Sequence, residues 1–379
     1  AVWKGTADMA KKKETADQEQ FRLEEAFDRI EALLEKLQDK DVTLEESFGL
    51  YQEGMGLLKL CNENIDHVEK QMLQIDEEGQ THDFREELKS KTAAVEKIVE
   101  SYLPEESGTQ HEIMEAMNYS VTAGGKRLRP LLMQETYRMF GGEGREVEPF
   151  MAAMEMIHTH SLVHDDLPAL DNDDYRRGRL TTHKVYGEAM GVLSGVALLN
   201  YAYEVMLTAF DLAEDEKARA RVINALKVMS HKTGLYGMLG GQSVDVENDG
   251  KPMSREMINY IYENKTSALI EGSMMAGAIL GGASAEEVAV VEKAASGIGL
   301  AFQIQDDILD VTSTAEELGK PIHSDEKNHK TTYVTLMGIE KASQQVAELS
   351  EEAVKLLEGL NKKNEFLFTL VKELVGRRK

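Results

Sequence analysis

The chain has 379 residues, 42% of them hydrophobic, and a formal net charge of -25. That length exceeds one ordinary domain and predicts two units, while the acidic balance argues against a nucleic-acid-binding surface of the chain's own. Its single cysteine, Cys61, excludes an internal disulfide and suits a reducing cytoplasm; no uninterrupted apolar run reaches transmembrane length, and the N-terminus shows no apolar signal-peptide core.

Residues 1–16 are set aside as an N-terminal extension or an expression remnant. Between 17 and 76 apolar residues recur at helical spacing. Leu23, Phe27, Ile30, Leu34 and Leu37 form one stripe; Leu44, Phe48, Tyr51, Met55 and Leu58 start another that continues through Ile65, Val68, Met72 and Ile75. Thr43-Leu-Glu-Glu46 has the spacing of a capping box that opens the second helix, the cap being worth roughly 1 kcal/mol. The prediction is a helical hairpin without site chemistry, closed by a polar linker at 77–82.

Farther along, Gly124-Gly125-Lys126-Arg127-Leu128-Arg129-Pro130 reads as a turn entering a helix, so backbone N–H groups and the side chains of Lys126 and Arg129 can converge on an anion. His158 lies on the helical face that leads to Asp165, and alone reads first as a core histidine. Then comes Asp165-Asp166-Leu-Pro-Ala-Leu-Asp171-Asn-Asp173-Asp174. Pro168 breaks the helix, and a turn is expected to bring Asp171 back to Asp165. Arg176-Arg177-Gly178-Arg179 follows at once, predicting either mutual neutralisation or shared phosphate oxygens. In the second cluster Asp306 and Asp310 are four residues apart and share a helix face. Unpaired carboxylates in apolar helical surroundings are costly, so two such clusters imply a bound cation, in outline a magnesium-diphosphate site. Prolines are few and strand alternation is scarce, whereas 152–164, 192–213 and 256–280 are helix-compatible; the expected fold class is all-α.

Residues 83–379 resemble a bacterial trans-isoprenyl diphosphate synthase of the farnesyl/geranylgeranyl type. The likeness runs through GGKRLRP, IHTHSLVHDDLPALDNDDYRRG, THKVYGEAMGVLSG, NKTSALI, AFQIQDDILD and HKTTYVTL. It implies a large helical bundle around a deep cavity and a homodimer. It also implies that Asp165, Asp171 and Asp306 bind Mg2+, with Mn2+ an admissible substitute, and that Asp166 and Asp310 support them. Lys126, Arg129, His158 and Arg177 would hold isopentenyl diphosphate; Arg176, Lys265, Thr266, Gln303, Lys320 and Lys330 would surround the allylic diphosphate, dimethylallyl or geranyl, with Lys265 counted among the catalytic groups. The reaction implied is ionisation of the allylic substrate, attack by the isopentenyl double bond and loss of a proton.

Two positions depart from that family's pattern. His160, followed by Ser161, stands where a tyrosine commonly limits chain length, so products up to geranylgeranyl are expected beside farnesyl. Val196 stands where an aspartate is usual, and a buried partner left unsatisfied there would cost about 1–3 kcal/mol. Residues 17–76 resemble the small subunit of exonuclease VII, most clearly over EKLQDKDVTLEESFGLYQEGMGLLKLC. That family works by packing on a large catalytic subunit, so a large-subunit partner is implied. Two function classes follow: a chain-elongating prenyltransferase, or a nuclease accessory protein whose synthase is weak or inactive.

Overall fold

The computed structural model describes residues 84–312 and 331–376, together with Leu33 and Gly54. The predicted N-terminal hairpin, Lys320 and Lys330 otherwise lie outside these residues; Leu33 and Gly54 are both helical, and Leu33 is buried. The chain divides into two compact units, Ala1–Glu87 and Leu88–Lys379.

The second unit is built from α1 (Phe84–Ser101, which begins in the first unit), α2 (His111–Val121), α3 (Leu128–Met139), α4 (Glu148–Asp165), α5 (Thr182–Tyr186), α6 (Glu188–Leu207), α7 (Ala209–Leu212), α8 (Glu216–Thr233) and α9 (Met238–Glu247). It continues through α10 (Arg255–Ile261), a π-helical turn (Tyr262–Ser267), α11 (Ala268–Leu280), α12 (Ala285–Thr312), α13 (Tyr333–Met337), α14 (Ile339–Glu358) and α15 (Glu365–Gly376). Among the described residues the only sheet is a two-stranded ribbon, β1 (Tyr175–Arg176) and β2 (Arg179–Leu180). The all-α expectation holds.

Two helices are core on nearly every side. In α4 the side chains of Phe150, Met151, Met154, Met156 and Ile157 are wholly buried, each contributing roughly 1.5–3 kcal/mol of transfer free energy. All of α11 except Ile279 is buried, which explains the continuous apolar character of 268–280: a helix packed all round has no polar face to show. It is surrounded by α3, α8 and α12, while α14 packs on the other side of α12.

The pairing of α4 with α6 sets one wall of the site. A Cβ at Gly195 would collide with the His164 ring, so glycine permits the close approach. Leu198 and Ser194 turn inward with it, while Val192, Leu193 and Val196 face out. Within one chain Val196 is 52% exposed, so the buried hydrogen bond expected there is not one inside the bundle: the small residues Gly191, Ser194 and Gly195 are the packing face, and Val196 is on the opposite one. The segment Glu188–Leu212 is also long and apolar enough to cross a membrane by length and composition, which qualifies the expectation drawn from uninterrupted runs. Its inward face packs on α4, as a bundle helix does.

Candidate active site

The anion-binding turn is built around Arg127. This residue caps α3 with a left-handed backbone, φ 46°, which costs a non-glycine residue about 1 kcal/mol or more. Its guanidinium, 2% exposed as a residue, offsets that strain: Nη1 donates to Glu155 Oε1 at 2.5 Å, Nη2 to Glu96 Oε1 at 2.8 Å and to the Val121 carbonyl at 2.6 Å, and Nε to Glu96 Oε2. Because those bonds occupy Arg127, Arg129 is the arginine left to face inward. Its buried Nε has no hydrogen-bond partner, and Nη1 lies 3.4 Å from His158 Nε2. Burial first, and then Arg129 and Arg177, hold the His158 imidazole far below its usual pKa; it is neutral and accepts from Arg129. A desolvated guanidinium with a spare donor is an anion receptor. Lys126 is exposed at the start of the turn.

The first aspartate cluster sits at the end of α4. As the proline break predicts, the helix stops at Asp165, and the Asp171 N–H donates back to the Asp165 carbonyl at 2.9 Å. Asp166 is buried and taken by Arg176, whose Nε donates to Oδ1 at 2.9 Å. Arg176 also reaches Asp173 at 3.5 Å, and Lys184 pairs with Asp174 at 2.7 Å, so mutual neutralisation accounts for this part of the acidic run. Asp165 is different. Burial pushes its carboxyl up to about 6; Lys265 opposes that shift and Asp171 adds to it. Such a carboxylate gains from a cation beside it.

Lys265 and Thr266 come from the π-helical turn, a geometry that recurs at functional sites. Burial lowers the Lys265 pKa, but Asp245, Asp165 and Asp171 outweigh it, and the ammonium stays charged. Its Nζ bonds Asp245 Oδ2 at 2.6 Å, and Thr266 Oγ1 donates to Gln303 Oε1 at 2.9 Å. In α12, Asp306 is half-buried and within electrostatic reach of Arg129, while Asp307 and Asp310 are buried. Asp307 is structural: Tyr262 donates to it at 2.7 Å, and the Tyr333 backbone N–H at 3.2 Å.

Part of this set borders one cavity of about 260 Å³; Asp171 and Asp306 are not in its lining. Arg129, His158, Asp165, Gln242, Lys265 and Thr266 line its polar part; His160, Ser161, Leu162, Met238 and Leu269 belong to the same lining. His160 is buried, and its Nδ1–H donates to the Gly195 carbonyl at 2.9 Å. A smaller polar cavity of about 120 Å³ shares Lys265 and Thr266 and is bordered by Gln303 and Asp307.

Among the described residues no three His, Cys, Asp or Glu side chains converge to metal-ligand spacing. Mg2+ takes one or two carboxylates and completes its shell with water and substrate phosphate. The hard oxygen donors of Asp165, Asp171 and Asp306, and the desolvated state of Asp165, fit such an ion.

Sequence reasoning missed three residues. Gln242 donates to Asp165 Oδ1 at 2.6 Å, Asp245 holds Lys265, and Tyr262 holds Asp307. The first two were readable as polar residues three apart in GGQSVDV, on one helix face; Tyr262 gave no signal.

A family profile described as polyprenyl synthetase matches residues 110–368, and one described as exonuclease VII small subunit matches 24–74. The chain is 42% identical over 260 residues to a farnesyl diphosphate synthase of Geobacillus stearothermophilus, covering 69% of this chain and 86% of that protein. It is 41% identical over 298 residues to a dimethylallyltranstransferase of Fischerella ambigua (strain UTEX 1903), covering 78% and 84%. An apo FPP/GFPP synthase from Zymomonas mobilis superposes with a TM-score of 0.68 at 31% identity, over 77% of this chain and 99% of that one. A Helicobacter pylori geranyltransferase complexed with magnesium and isoprenyl diphosphate does so with a TM-score of 0.67 at 28% identity, over 78% and 97%.

Fold and cavity together define a diphosphate-handling enzyme of the all-α isoprenyl synthase class. The chain belongs to the polyprenyl synthetase family. Within it, this protein is a trans-prenyltransferase of the farnesyl/geranylgeranyl diphosphate synthase type.

Proposed function

We propose that Arg129, His158, Lys126 and Arg177 receive isopentenyl diphosphate, and that Asp165, Asp171 and Asp306 hold Mg2+ against the diphosphate of dimethylallyl or geranyl diphosphate. The observation that carries this is the buried, unpartnered Nε of Arg129 on the same cavity as the desolvated Asp165 and charged Lys265. When bound, Mg2+ would supply positive charge to the departing diphosphate. Lys265 stays protonated and offers an ammonium to the same leaving group, with Thr266 beside it. Neutral His158 leaves the Arg129 guanidinium its full charge for the second diphosphate, and the cavity's apolar lining excludes water from the allylic cation while the isopentenyl double bond attacks. Arg176 acts here by holding Asp166 in place, and Asp310 supports α12 from its buried position.

His160 and Ser161 border the cavity on the side of α6, so they limit product length, with farnesyl expected and geranylgeranyl admitted. A second copy of the chain covers the exposed apolar face of α6, Val192, Leu193, Val196 and Leu207. Lys320 and Lys330 complete the allylic site, and the protein acts in the cytoplasm.

Purified protein incubated with isopentenyl diphosphate, either allylic substrate and Mg2+ should give farnesyl diphosphate, with turnover lost on chelation. Arg129→Ala should raise KM for isopentenyl diphosphate by about tenfold, because the lost contact is one of uniform binding. Folded protein that gives no product would overturn the reading.

The exonuclease VII small-subunit match favours a second reading for residues 17–76: the segment binds a nuclease large subunit, independently of prenyl transfer from residues 83–379. Mixing the chain with such a subunit and measuring complex formation by size-exclusion chromatography tests it; separate elution would count against it.

A further inference from the structure

The β1–β2 ribbon and its turn, residues 175–180, are anchored at several points. Arg177 and Gly178 make the turn, both with positive φ, 53° and 76°, as a two-residue hairpin requires. Arg177 Nη1 donates to the Gly124 carbonyl, and its guanidinium lies so close to Gly125 that a Cβ there would come within 2.7 Å of Cζ. The hairpin tip therefore rests directly on the anion-binding turn. At its base the hairpin is held by Arg176 on Asp166 and by Thr181 on the Asp173 and Asp174 carbonyls; a second set of contacts lies on its far side. Tyr119, on α2, donates its hydroxyl to the Leu180 carbonyl at 2.7 Å. The Arg179 guanidinium sits over the Tyr119 ring, 4.3 Å from its centroid, and Nη1 reaches the Thr122 carbonyl at 3.3 Å. Tyr186 meets the same ring edge-on at 5.6 Å.

We propose that Tyr119 and Arg179 are positioning residues: they clasp β2 to α2 and so place Arg177 over the Gly124–Arg129 turn, setting affinity for the non-allylic diphosphate. In a two-residue hairpin the strands move as one ribbon, so release of Leu180 and Arg179 lets the Arg177 tip drift from Gly124. Arg179 itself faces the aromatic ring, and its Nη1 is engaged by the Thr122 carbonyl. The inference rests on the assignment of Arg177 to isopentenyl diphosphate.

The test compares Arg179→Gln, Arg179→Lys, Tyr119→Leu and Arg177→Ala, each alone and the first and third also combined with Arg177→Ala. Arg179→Gln and Tyr119→Leu are expected to raise KM for isopentenyl diphosphate about two- to fivefold, the worth of an exposed cation–π contact, with kcat and KM for geranyl diphosphate unchanged. Arg179→Lys should recover part of the loss. Combined with Arg177→Ala, neither should add anything, because the group they position is gone. A full additional loss in the Arg177→Ala background would mean that Arg179 or Tyr119 acts on its own and would overturn the proposal, as would unchanged KM in the single variants. If Arg177→Ala itself left KM unchanged, the parent assignment would fall instead. The two failures are told apart by that one variant. Tyr119→Phe, which deletes only the hydroxyl, covers the case in which Tyr119→Leu does not fold; it too should raise KM, by less.

Discussion

The two aspartate clusters use the same residue in opposite ways. The second lies within unbroken α12, where helix periodicity puts Asp306 and Asp310 on one face and Asp307 is spent inside the protein, bonded to Tyr262 and Tyr333. The first begins where α4 ends, and its geometry depends on a proline turn, on the Asp171-to-Asp165 backbone bond and on Arg176 clamping Asp166. A regular helix spends its backbone bonds on itself and needs no help to aim a carboxylate. A helix end must borrow side chains to do so, and at the first cluster Arg176 and Lys184 lend theirs.

The largest expected effect tests what both clusters share. Asp306→Asn and Asp165→Asn should each lower kcat/KM by about a hundredfold or more while the melting temperature holds; for Asp165 it should hold or rise, since a desolvated carboxylate is replaced by a neutral amide. Parallel loss of activity and stability would erase the distinction between aimed and structural carboxylates.

A pH titration of stability sharpens the contrast next, because only the first cluster's helix carries a buried histidine. Burial, and then His164, push His160 down to about 4. The unfolded chain binds that proton near pH 6.5 and the folded chain only near 4, so stability is complete above pH 6.5 and is lost as pH falls toward 4, by up to roughly 3 kcal/mol. His160→Asn should remove part of that acid slope, His158 being depressed over the same window and keeping the rest; an unchanged profile would place the acid loss elsewhere. Asp307→Ala comes third. It should cost about 1–3 kcal/mol of stability by leaving Tyr262 and the Tyr333 N–H without their acceptor, where Asp306→Ala costs less. Equal losses, read from denaturant midpoints, would contradict the division within α12.

The smallest effect is on product ratio. His160→Tyr should shorten and His160→Ala lengthen the products, shifting the ratio by roughly tenfold, the low end of what one methylene is worth. Since His160 is tied to the Gly195 carbonyl, identical product mixtures from wild type and both variants would place the length limit elsewhere on the cavity.

The sequence was most legible where local geometry decides the outcome. The four-residue spacing of Asp306 and Asp310, the break at Pro168 and the inward Arg129 of GGKRLRP could each be read directly, because helix periodicity and proline sterics act over a few residues. Val196 could not. Which face of α6 is inner depends on the Gly195–His164 approach, a contact between distant segments. Gln242 and Asp245 share a helix face in the sequence, but what that face meets is set by α9 packing beside Asp165 and Lys265. Residues 256–280 read as one uninterrupted helix, since a π turn leaves hydrophobic patterning on either side intact.

That π turn works as a phase shifter. It spends extra residue on one revolution, so everything before it is rotated about the helix axis relative to everything after it, by roughly 100° per added residue. Deleting one residue from Tyr262–Ser267 would restore a regular and intrinsically better helix, yet Lys265 and Thr266 would no longer share a bearing with α11. The site's lysine is thus aimed by an irregularity in chain count, a property that side-chain substitution cannot reproduce and that a single-codon deletion would erase.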